Sequence, residues 1–567
     1  MSTFKEEWKI IALARGGGYE KLIEIIQHLR DEYDLRNLLN LIIAQLTEMN
    51  KFEEALEITN QVRSKAVKAE TLSSIASKMM KVGMPADIIF EKALEIAKEI
   101  KNDKKKSSVL FTIALDLAEI EQYMKALEIA KEIKDDFEQS LVLAYIAREM
   151  AKAEMHDEAD KVFNEALKIA RKIENNREQS VALSDIVRDL IALEKFDDAL
   201  NIANEIKTEI STSWSLGSIS NALAESENYK KALEIARKIK DKRYQCKALS
   251  FIAREMAKAE MHDEADKVFN EALKIARKIE NNIYKLVELF FIVLRMEKAG
   301  KPSEHIFNET LEKMRKIKTS EYGWSLFSDV AFEFARKGIY DKALKVAREI
   351  KDKKNKTKSL LSIIKKLAES GKFREASEIM IGLDSLSISE GAFFVALNMA
   401  KAEKFDDALN IILEKTKNTE DKAIATIGIL PELVISSDKK IYDEIMKIIE
   451  KIEDRELKKM IIFSVTTELV SVGKYHETMK IANKINNKKD RKNLIDKVKK
   501  NFVKTANQYL EHILLFENEF NKKHPKLVKK IRKGKIDEEI IVFVKNIGEI
   551  MKEKEKIINK VKKLVKK

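Results

Sequence analysis

Two copies of a His-Asp-Glu triplet are the residues of this chain that most resemble metal ligands. They are His156-Asp157-Glu158 and His262-Asp263-Glu264, and they lie 106 residues apart. Imidazole and carboxylate groups bind divalent ions when several of them converge on one point. Each triplet falls where a helix is predicted to begin, and acidic residues stabilise the first turn of a helix. Because several helices separate the two copies, we predict no metal site.

A glycine run and a lone cysteine are the other candidates for chemistry. A phosphate-binding loop needs a preceding strand and a following Lys-Ser/Thr, whereas Gly16-Gly17-Gly18 is preceded by a predicted helix and followed by Tyr19. The run therefore favours a tight turn. Cys246 is the only cysteine, and the sequence offers no nucleophile–base pair that includes it. We predict that the chain uses no cofactor and is not an enzyme.

The elements that carry these residues recur along the chain. Ile146–Asn176 and Ile252–Asn282 are identical, which indicates one supersecondary unit used many times. The shortest common core is A-L-x-I-A-x-x-I, and most cores are 33 residues apart, with offsets of 37 to 40 in longer units. The core or a weaker version of it begins at 14 positions: Leu22, Ala55, Ala93, Ala126, Ala166, Ala199, Ala232, Ala272, Thr310, Ala343, Ala376, Ala408, Ile445 and Thr478.

Each unit is predicted to form two antiparallel helices. In 179–207 the first helix places its apolar residues on one face, three and four residues apart: Leu183, Ile186, Val187, Leu190 and Ile191. A turn follows at Glu194-Lys195, and the second helix is expected to begin near Asp197, whose carboxylate suits a helix cap. Ala199 and Ala203 in the second helix allow the two helices to approach closely.

This pattern resembles the tetratricopeptide repeat (TPR) family. A TPR has an aromatic residue after its turn, and here an aromatic lies three residues before most cores: Tyr19, Phe52, Tyr123, Phe196, Tyr229, Tyr340, Phe373, Phe405 and Tyr475. The family's turn glycine is matched by Gly17, Gly338, Gly371 and Gly473, and Glu replaces it at Glu121, Glu194 and Glu227. The family's closing Pro is absent. The resemblance implies an all-α fold, a right-handed α-solenoid of about 14 TPR-like helical hairpins.

The resemblance also implies a partner-binding groove. In TPR proteins the first helices line the concave face, and matching positions here are Arg148, Lys152, Arg188, Asn221, Arg254 and Lys258. Cations along a groove suit acidic segments or a C-terminal carboxylate. The family's carboxylate clamp is only partly matched, so no specific ligand is implied. The alternative is that these residues form an ordinary solvated, charged helix face.

Composition supports a helical chain with a distinct C-terminal part. Of its 567 residues, 35% are charged and only 15 are Gly and 4 Pro, which is typical of helix nearly everywhere. The Lys, Glu and Ile bias is thermophile-like. The net charge is +13, and 487–567 alone holds 25 basic and 11 acidic residues. This asymmetry predicts a TPR-like repeat solenoid over 1–486 and a basic helical C-terminal segment over 487–567.

Three smaller features have predicted structural roles. The longer units carry a Phe three residues before the core, which should fill the gap beside an extended second helix: Phe90, Phe163, Phe269 and Phe307. Trp8, Trp214 and Trp324 lie near starts of first helices, where we expect them to pack. Pro431 interrupts an apolar stretch and is expected to kink or end a helix.

The location of the protein is predicted from what the sequence lacks. A single cysteine allows no disulfide within the chain, and the start MSTFKEEWKI has no uninterrupted apolar stretch. The densest apolar run, Leu286–Leu294, is too short to span a bilayer. We therefore expect a cytoplasmic protein with no transmembrane segment.

The predicted function is a protein–protein interaction scaffold. It would bind other proteins or peptide segments, acidic ones included, along the concave groove. The alternative is a nucleic-acid-associated helical-repeat protein that uses the basic C-terminal segment, which could also dock on an anionic membrane surface or on the last repeat. A third hypothesis, an enzyme whose site is assembled from scattered residues, is supported by no motif.

The nucleic-acid alternative predicts a salt-dependent affinity. Full-length protein should bind unrelated RNA or DNA with an affinity that falls steeply as salt rises, because bound counterions are released from the phosphates, and removal of 487–567 should abolish this binding. Fluorescence anisotropy across a salt series measures both effects. Binding that ignores salt, or no binding, would count against this alternative.

Overall fold

The computed structural model describes residues 7–433 and 455–471, and the scattered residues 445–447, 449–450, 452, 478, 481, 491 and 492. Every regular element within this part of the chain is an α-helix. Contacts divide the chain into two compact units. The central unit is Ile26–Ser370, and the terminal unit combines the described residues up to Ile25 with those from Gly371 onward.

The central unit contains nineteen consecutive helices. They are α3 (Glu32–Glu48), α4 (Phe52–Asn60), α5 (Lys65–Lys81), α6 (Asp87–Lys98), α7 (Asp103–Glu119), α8 (Tyr123–Glu132), α9 (Asp136–Lys152), α10 (His156–Ala170), α11 (Asn176–Ala192), α12 (Phe196–Glu205), α13 (Glu209–Glu225), α14 (Tyr229–Lys238), α15 (Lys242–Lys258), α16 (His262–Arg277), α17 (Asn282–Lys298), α18 (Glu304–Lys316), α19 (Glu321–Arg336), α20 (Tyr340–Glu349) and α21 (Lys353–Glu369).

The described helices of the terminal unit come from both ends of the chain. They are α1 (Glu7–Arg15), α22 (Phe373–Ile379), α23 (Ser385–Lys401), α24 (Phe405–Lys415), α25 (Thr419–Leu433) and α26 (Arg455–Ser471). The helix α2 (Tyr19–His28) crosses from this unit into the central one.

The helices form the predicted hairpins. The first twelve repeat cores all lie in the even-numbered helices, from Leu22 in α2 to Ala408 in α24. The central unit holds nine complete hairpins, from α3–α4 to α19–α20, and α23–α24 is another in the terminal unit. The all-α architecture of TPR-like hairpins is therefore confirmed. The last two cores begin at Ile445 and Thr478, whose surroundings lie outside the described residues.

Polar residues start the first helices. Nine Asp or Asn residues cap them in the described part of the chain, because each side-chain oxygen accepts a backbone N–H two or three residues further on: Asp31, Asn102, Asp135, Asn175, Asp241, Asn281, Asp352, Asp384 and Asn418. Each such cap contributes roughly 1 kcal/mol. The second helices differ. In α12 the N-cap is Lys195, so the predicted capping role of Asp197 is wrong, although Asp197 lies in the first turn, where its charge favours the helix dipole.

A left-handed residue closes the turn of each hairpin. Its φ is positive in Gly17, Gly338 and Gly371, and equally so where Glu replaces Gly, in Glu121, Glu194 and Glu227. A side chain in this conformation is strained because its Cβ crowds the following carbonyl. The turn aromatic is then the first residue of the second helix, as at Tyr123 in α8 and Phe196 in α12. The glycine run at 16–18 is thus a turn, as predicted.

From α3 to α19, each first helix packs on its own second helix and on the first helix of the next hairpin. Alanines at these contacts, such as Ala114, Ala126 and Ala130, are fully buried. In the longer repeats the second helix is extended: α16 has 16 residues, whereas α14 has 10. The four predicted gap-filling phenylalanines are buried (Phe90, Phe163, Phe269 and Phe307), as are Trp8 and Trp324, while Trp214 is half-buried.

Ion pairs between second helices follow a constant spacing. Arg171 pairs with Glu205 at 2.8 Å, and Arg237–Glu271 and Arg315–Glu349 repeat that contact at 2.9 Å. Each pair joins residues 34 positions apart in the chain. These side chains are largely exposed, so water and salt screen each pair and its contribution to stability is small.

Pro431 lies inside α25, and the helix continues to Leu433. Pro431 therefore does not end the helix, and residues 434–444 lie outside the described part of the chain. The C-terminal segment 487–567 is likewise outside it, apart from Arg491 and Lys492, and its basic helical character stays a prediction. Among the described helices none has the length and apolar character needed to cross a bilayer.

Relief of turn strain should stabilise the hairpins. We expect Glu194→Gly to stabilise the protein by about 0.5 kcal/mol, because a left-handed strain of roughly 1 to 2 kcal/mol is partly offset by the greater freedom of Gly in the unfolded chain. Gly338→Glu, the reverse change at an equivalent turn, should destabilise it. Denaturant unfolding measures both, and a lower unfolding midpoint for Glu194→Gly would contradict the strain argument.

Candidate functional site on the first helices

One face of the first helices keeps most of its residues at least partly exposed. In the 17-residue first helices it holds the third, tenth, thirteenth, fourteenth and seventeenth residues, which are spaced so that they share one side of the helix. We call this face the first-helix surface. In α9 it includes Tyr145, Arg148, Glu149 and Lys152, so the predicted groove cations Arg148 and Lys152 lie on it, as do Arg188, Asn221, Arg254 and Lys258.

Acidic residues on the same surface neutralise the predicted groove cations. Glu149 pairs with Arg148 at 2.7 Å and with Lys152 at 3.0 Å. Burial alone would raise the pKa of Glu149, but the hydrogen bonds from these two cations outweigh it and hold that pKa below its ordinary value. In α15, Glu255 binds Arg254 and Lys258 in the same manner.

Arg148 also bridges two hairpins. Its second guanidinium nitrogen lies 2.6 Å from Asp189, the fourteenth residue of α11. Burial raises the pKa of Asp189 to about 6, and Arg148 and Arg188 oppose that rise. Arg188 itself pairs with Asp185. All five predicted cations therefore have acidic partners already, and an acidic ligand would have to compete with them.

Asn221 differs from the other predicted groove residues. Its side-chain oxygen is buried and has no hydrogen-bond partner in the described part of the chain. Aromatic rings instead support the arginines on either side of it in sequence: Arg148 lies 4.4 Å from the ring of Tyr145, and Arg254 lies 4.3 Å from that of Phe251. Stacking of this kind holds a guanidinium in place while its edge stays accessible.

A cavity of about 170 Å³ opens on the first-helix surface between α15, α17 and α19. Its walls are the aromatic rings of Tyr244, Tyr284 and Phe291. The acidic groups Glu288 and Asp329 also line it. Burial raises the pKa of Asp329, Lys358 opposes this, and Glu333 adds to it. The volume is several times that of one water molecule, so the cavity can accept a side chain.

Two cations cover the aromatic walls. The guanidinium of Arg243 lies 4.9 Å from the ring of Tyr284 and is held at 2.8 Å by Asp241. The Lys247 ammonium lies 5.7 Å from the ring of Tyr244 and 3.1 Å from Glu288 Oε1. The cavity therefore combines flat aromatic walls with the two positive charges of Arg243 and Lys247.

Glu288 is the most buried charged group that lines the cavity. It is only 3% exposed, and its Oε2 has no hydrogen-bond partner among the described residues. Burial raises its pKa, and Lys247 opposes that rise. Burial likewise lowers the pKa of Arg295, and Glu288 counteracts this. Arg295 donates to Ser250 Oγ at 3.3 Å.

Sequence reasoning did not single out the residues of this cavity. The available signal was a tyrosine near the start of three successive first helices: Tyr244 and Tyr284 are each the third residue, and Tyr322 is the second residue of α19. Recognition of this signal requires the first helices to be aligned with one another. The A-L-x-I-A-x-x-I core instead aligns the second helices.

The other candidates for chemistry occupy structural positions. His156 and His262 are the exposed first residues of α10 and α16. Within the described residues no group of three His, Cys, Asp or Glu side chains is arranged to hold a metal ion. Cys246 is buried, and burial raises the pKa of its thiol, which disfavours the reactive thiolate.

No family model and no curated protein matches the chain. Solved structures do. Ton1535 from Thermococcus onnurineus NA1 is 20% identical, covers 56% of this chain and 98% of its own, and has a TM-score of 0.28. A STAND protein with a tetratricopeptide repeat sensor, PH0952 from Pyrococcus horikoshii, is 14% identical over 84% of this chain and 87% of its own, with a TM-score of 0.25.

Yeast Tom70 is also similar, with 14% identity over 78% of this chain and all of its own, and a TM-score of 0.28. These TM-scores are low. The TPR-like character of the chain is therefore established by its own hairpins, with their left-handed turn residue, the aromatic that starts each second helix and the alanine contacts between helices.

Removal of the Lys247 charge should expose the cost of the buried Glu288. We expect Lys247→Met to destabilise the protein by about 3 kcal/mol near neutral pH, because a buried carboxylate loses its counter-charge. Since the pKa of Glu288 is raised, the carboxyl takes up a proton as pH falls through that pKa, and the destabilisation should then shrink.

Denaturant unfolding at about pH 8 and about pH 5 tests this expectation. The double variant Lys247→Met/Glu288→Gln is the matched control and should recover most of the lost stability at the higher pH. A destabilisation by Lys247→Met that is equal at both pH values would show that Glu288 is not the cause.

Proposed function

We propose that the chain is a protein-interaction scaffold and that the first-helix surface of the central unit binds partner segments. The observation that carries the proposal is the cavity between α15, α17 and α19, where aromatic walls and two cations meet. Tyr, Phe and Arg are enriched in the centres of protein interfaces, because the aromatic rings contribute large contact areas with few rotatable bonds and the guanidinium makes several directed hydrogen bonds.

Exposed apolar side chains on α19 and on α13, which packs on α15, support this proposal. Tyr322 is 62% exposed at the start of α19, and Ile210 is 59% exposed at the start of α13. Phe332, further along α19, is also exposed. Single exposed apolar side chains are common on protein surfaces, but several of them together with a concave aromatic site form a surface that a partner can cover.

The charges favour a partner that carries an acidic residue beside an aromatic or aliphatic anchor. The anchor would enter the cavity, and the acid would compete with Glu288 and Asp241 for Lys247 and Arg243. The predicted groove cations, Arg148, Lys152, Arg188, Arg254 and Lys258, together with Asn221, would extend this surface along neighbouring first helices. Because they are already paired, we expect them to affect association rate and specificity more than affinity.

Other partners are proposed only from sequence. The basic segment 487–567 keeps nucleic acid or an anionic surface as an alternative, and the salt series described above decides it. A cytoplasmic location and the absence of catalysis likewise stay predictions.

Loss of aromatic anchors should weaken partner binding. We expect Tyr284→Ala and Tyr322→Ala each to lower the affinity for a captured partner at least tenfold, because a hot-spot side chain commonly contributes more than about 1.4 kcal/mol. The partner is first captured from native extract on the wild-type protein and its binding segment is mapped. Affinity is then measured by calorimetry with the purified segment.

The matched control is Tyr33→Ala. Tyr33 is 70% exposed and is the second residue of α3, as Tyr322 is of α19, but it lies far along the array from the cavity. Its replacement should leave the affinity unchanged. Equal affinities for all three variants, or equal losses, would remove the cavity as the anchor.

A further inference from the structure

The chain's own N-terminal helix covers the first-helix surface of the terminal unit. Lys9 of α1 lies 2.8 Å from Asp421 of α25. Arg15, at the end of α1, donates to the carbonyl oxygen of Gly428 at 3.2 Å and pairs with Glu432. The Trp8 ring lies 5.7 Å from that of Phe393 in α23, and Trp8 is fully buried.

These contacts use the positions that form the cavity and the acidic pairs in the central unit. Asp421, Gly428 and Glu432 are the third, tenth and fourteenth residues of α25. The third and tenth residues of α17 are Tyr284 and Phe291, which line the cavity. The terminal unit thus shows a short helix bound where the central unit presents an open site.

Glycines allow the close approach of α1 to α25. A Cβ on Gly428 would come within 2.8 Å of the Cα of Ala12, and one on Gly16 would come within 2.3 Å of the Ile427 carbonyl oxygen. Pro431 has no N–H and cannot donate to that carbonyl, four residues earlier in the helix. The chain therefore approaches α25 at the place where its helical hydrogen bonding is interrupted.

The fit of α1 is incomplete. Trp8 Nε1 and Glu432 Oε2 are buried without a hydrogen-bond partner in the described part of the chain. So is Ser464 Oγ, on the tenth residue of α26, which faces the turn at Gly17. Buried polar atoms without hydrogen-bond partners weaken the packing of α1 on this surface. A helix of nine residues is also marginally stable by itself, so it depends on the surface that holds it.

We propose that this surface is a binding site for a short apolar helix with basic residues, that α1 fills it in cis, and that a partner helix of the same chemistry displaces α1. The recognised pattern is a stripe of Trp8, Ala12 and Gly16 at every fourth residue, flanked by Lys9 and Arg15. The stripe meets the aromatic Phe393 and the small Gly428, and the two cations meet acids. This site lies in the other unit and prefers the opposite charge, so it does not depend on the central cavity.

Tethering sets the competition. A segment joined to its own site has an effective concentration in the millimolar range, so a free helix competes only if it binds well or if the cis contact is weakened. Weakening the cis contact in the full-length protein therefore provides a direct assay of the site.

The experiment uses full-length Trp8→Ala and a labelled synthetic peptide of residues 5–18. Replacement of the Trp8 side chain by that of Ala should release α1 from α25. The peptide should then bind this variant at least tenfold more tightly than it binds wild type. Trp214→Ala, the same change on another first helix, is the control and should bind the peptide as weakly as wild type does. Fluorescence anisotropy gives the affinities.

A charge exchange tests specificity. A peptide with Arg15→Glu should bind full-length Trp8→Ala at least tenfold more weakly than the native peptide does. The same peptide should regain affinity for full-length Trp8→Ala/Glu432→Arg, because the pair is restored with reversed signs. Equal binding of both peptides to both proteins would overturn the proposed recognition.

Hydrogen exchange on the wild-type protein tests whether α1 can leave. Amides in the second half of α1 should exchange at least tenfold faster than those in the middle of α25, because α1 detaches without unfolding its site. If α1 and α25 share the same protection, or if Trp8→Ala unfolds the terminal unit, α1 is part of the core and the proposal fails.

Discussion

The structure depends on the inability of one helical hairpin to bury its own apolar faces. About thirty residues can form two helices that cover each other on one side, but the remaining apolar side chains need a second hairpin. From α5 to α19 each first helix therefore contacts its own second helix and the first helices on either side. The small residues at these contacts, among them Ala114 and Ala126, set how closely the hairpins stack.

This constraint also determines where function can be located. Once three sides of a first helix are used for packing, only one face remains, and neighbouring hairpins place these faces next to one another. In the central unit that face holds an aromatic cavity with Arg243 and Lys247, and in the terminal unit it holds α1 against Asp421 and Glu432. The same positions thus support two surfaces of different charge, because surface residues can change from one repeat to the next without altering the hairpin.

Local periodicity made the hairpins predictable. The predictive features recur from repeat to repeat and can be read directly from the sequence. They are the spacing of the cores, the turn glycine or its Glu substitute, and the aromatic at the start of each second helix. The structure confirms Glu194 in a left-handed turn and Phe269 in the core. The capping role of Asp197 was wrong because Lys195 is the N-cap of α12.

The site was less predictable because its contacts join residues of different hairpins. The sequence placed Arg148 on the correct face, but its pairing with Asp189 depends on how the next hairpin stacks. Arg15 and Glu432 are 417 residues apart, and no repeat pattern relates them. The cavity depends on three consecutive helices, each of which contributes only one or two ordinary side chains.

The exact duplication of Ile146–Asn176 in Ile252–Asn282 has a consequence for assembly fidelity. Two stretches with identical sequence have the same local interactions. Only their contacts with adjacent helices can therefore distinguish them during folding. The neighbours differ at one informative place: Arg148 meets Asp189, whereas its twin Arg254 experiences the repulsive charge of Arg295. A molecule that docked the wrong twin would bypass three hairpins and lose the Arg148–Asp189 attraction. The Arg148–Asp189 ion pair therefore favours packing of the correct copy against α11, although the two copies have the same sequence.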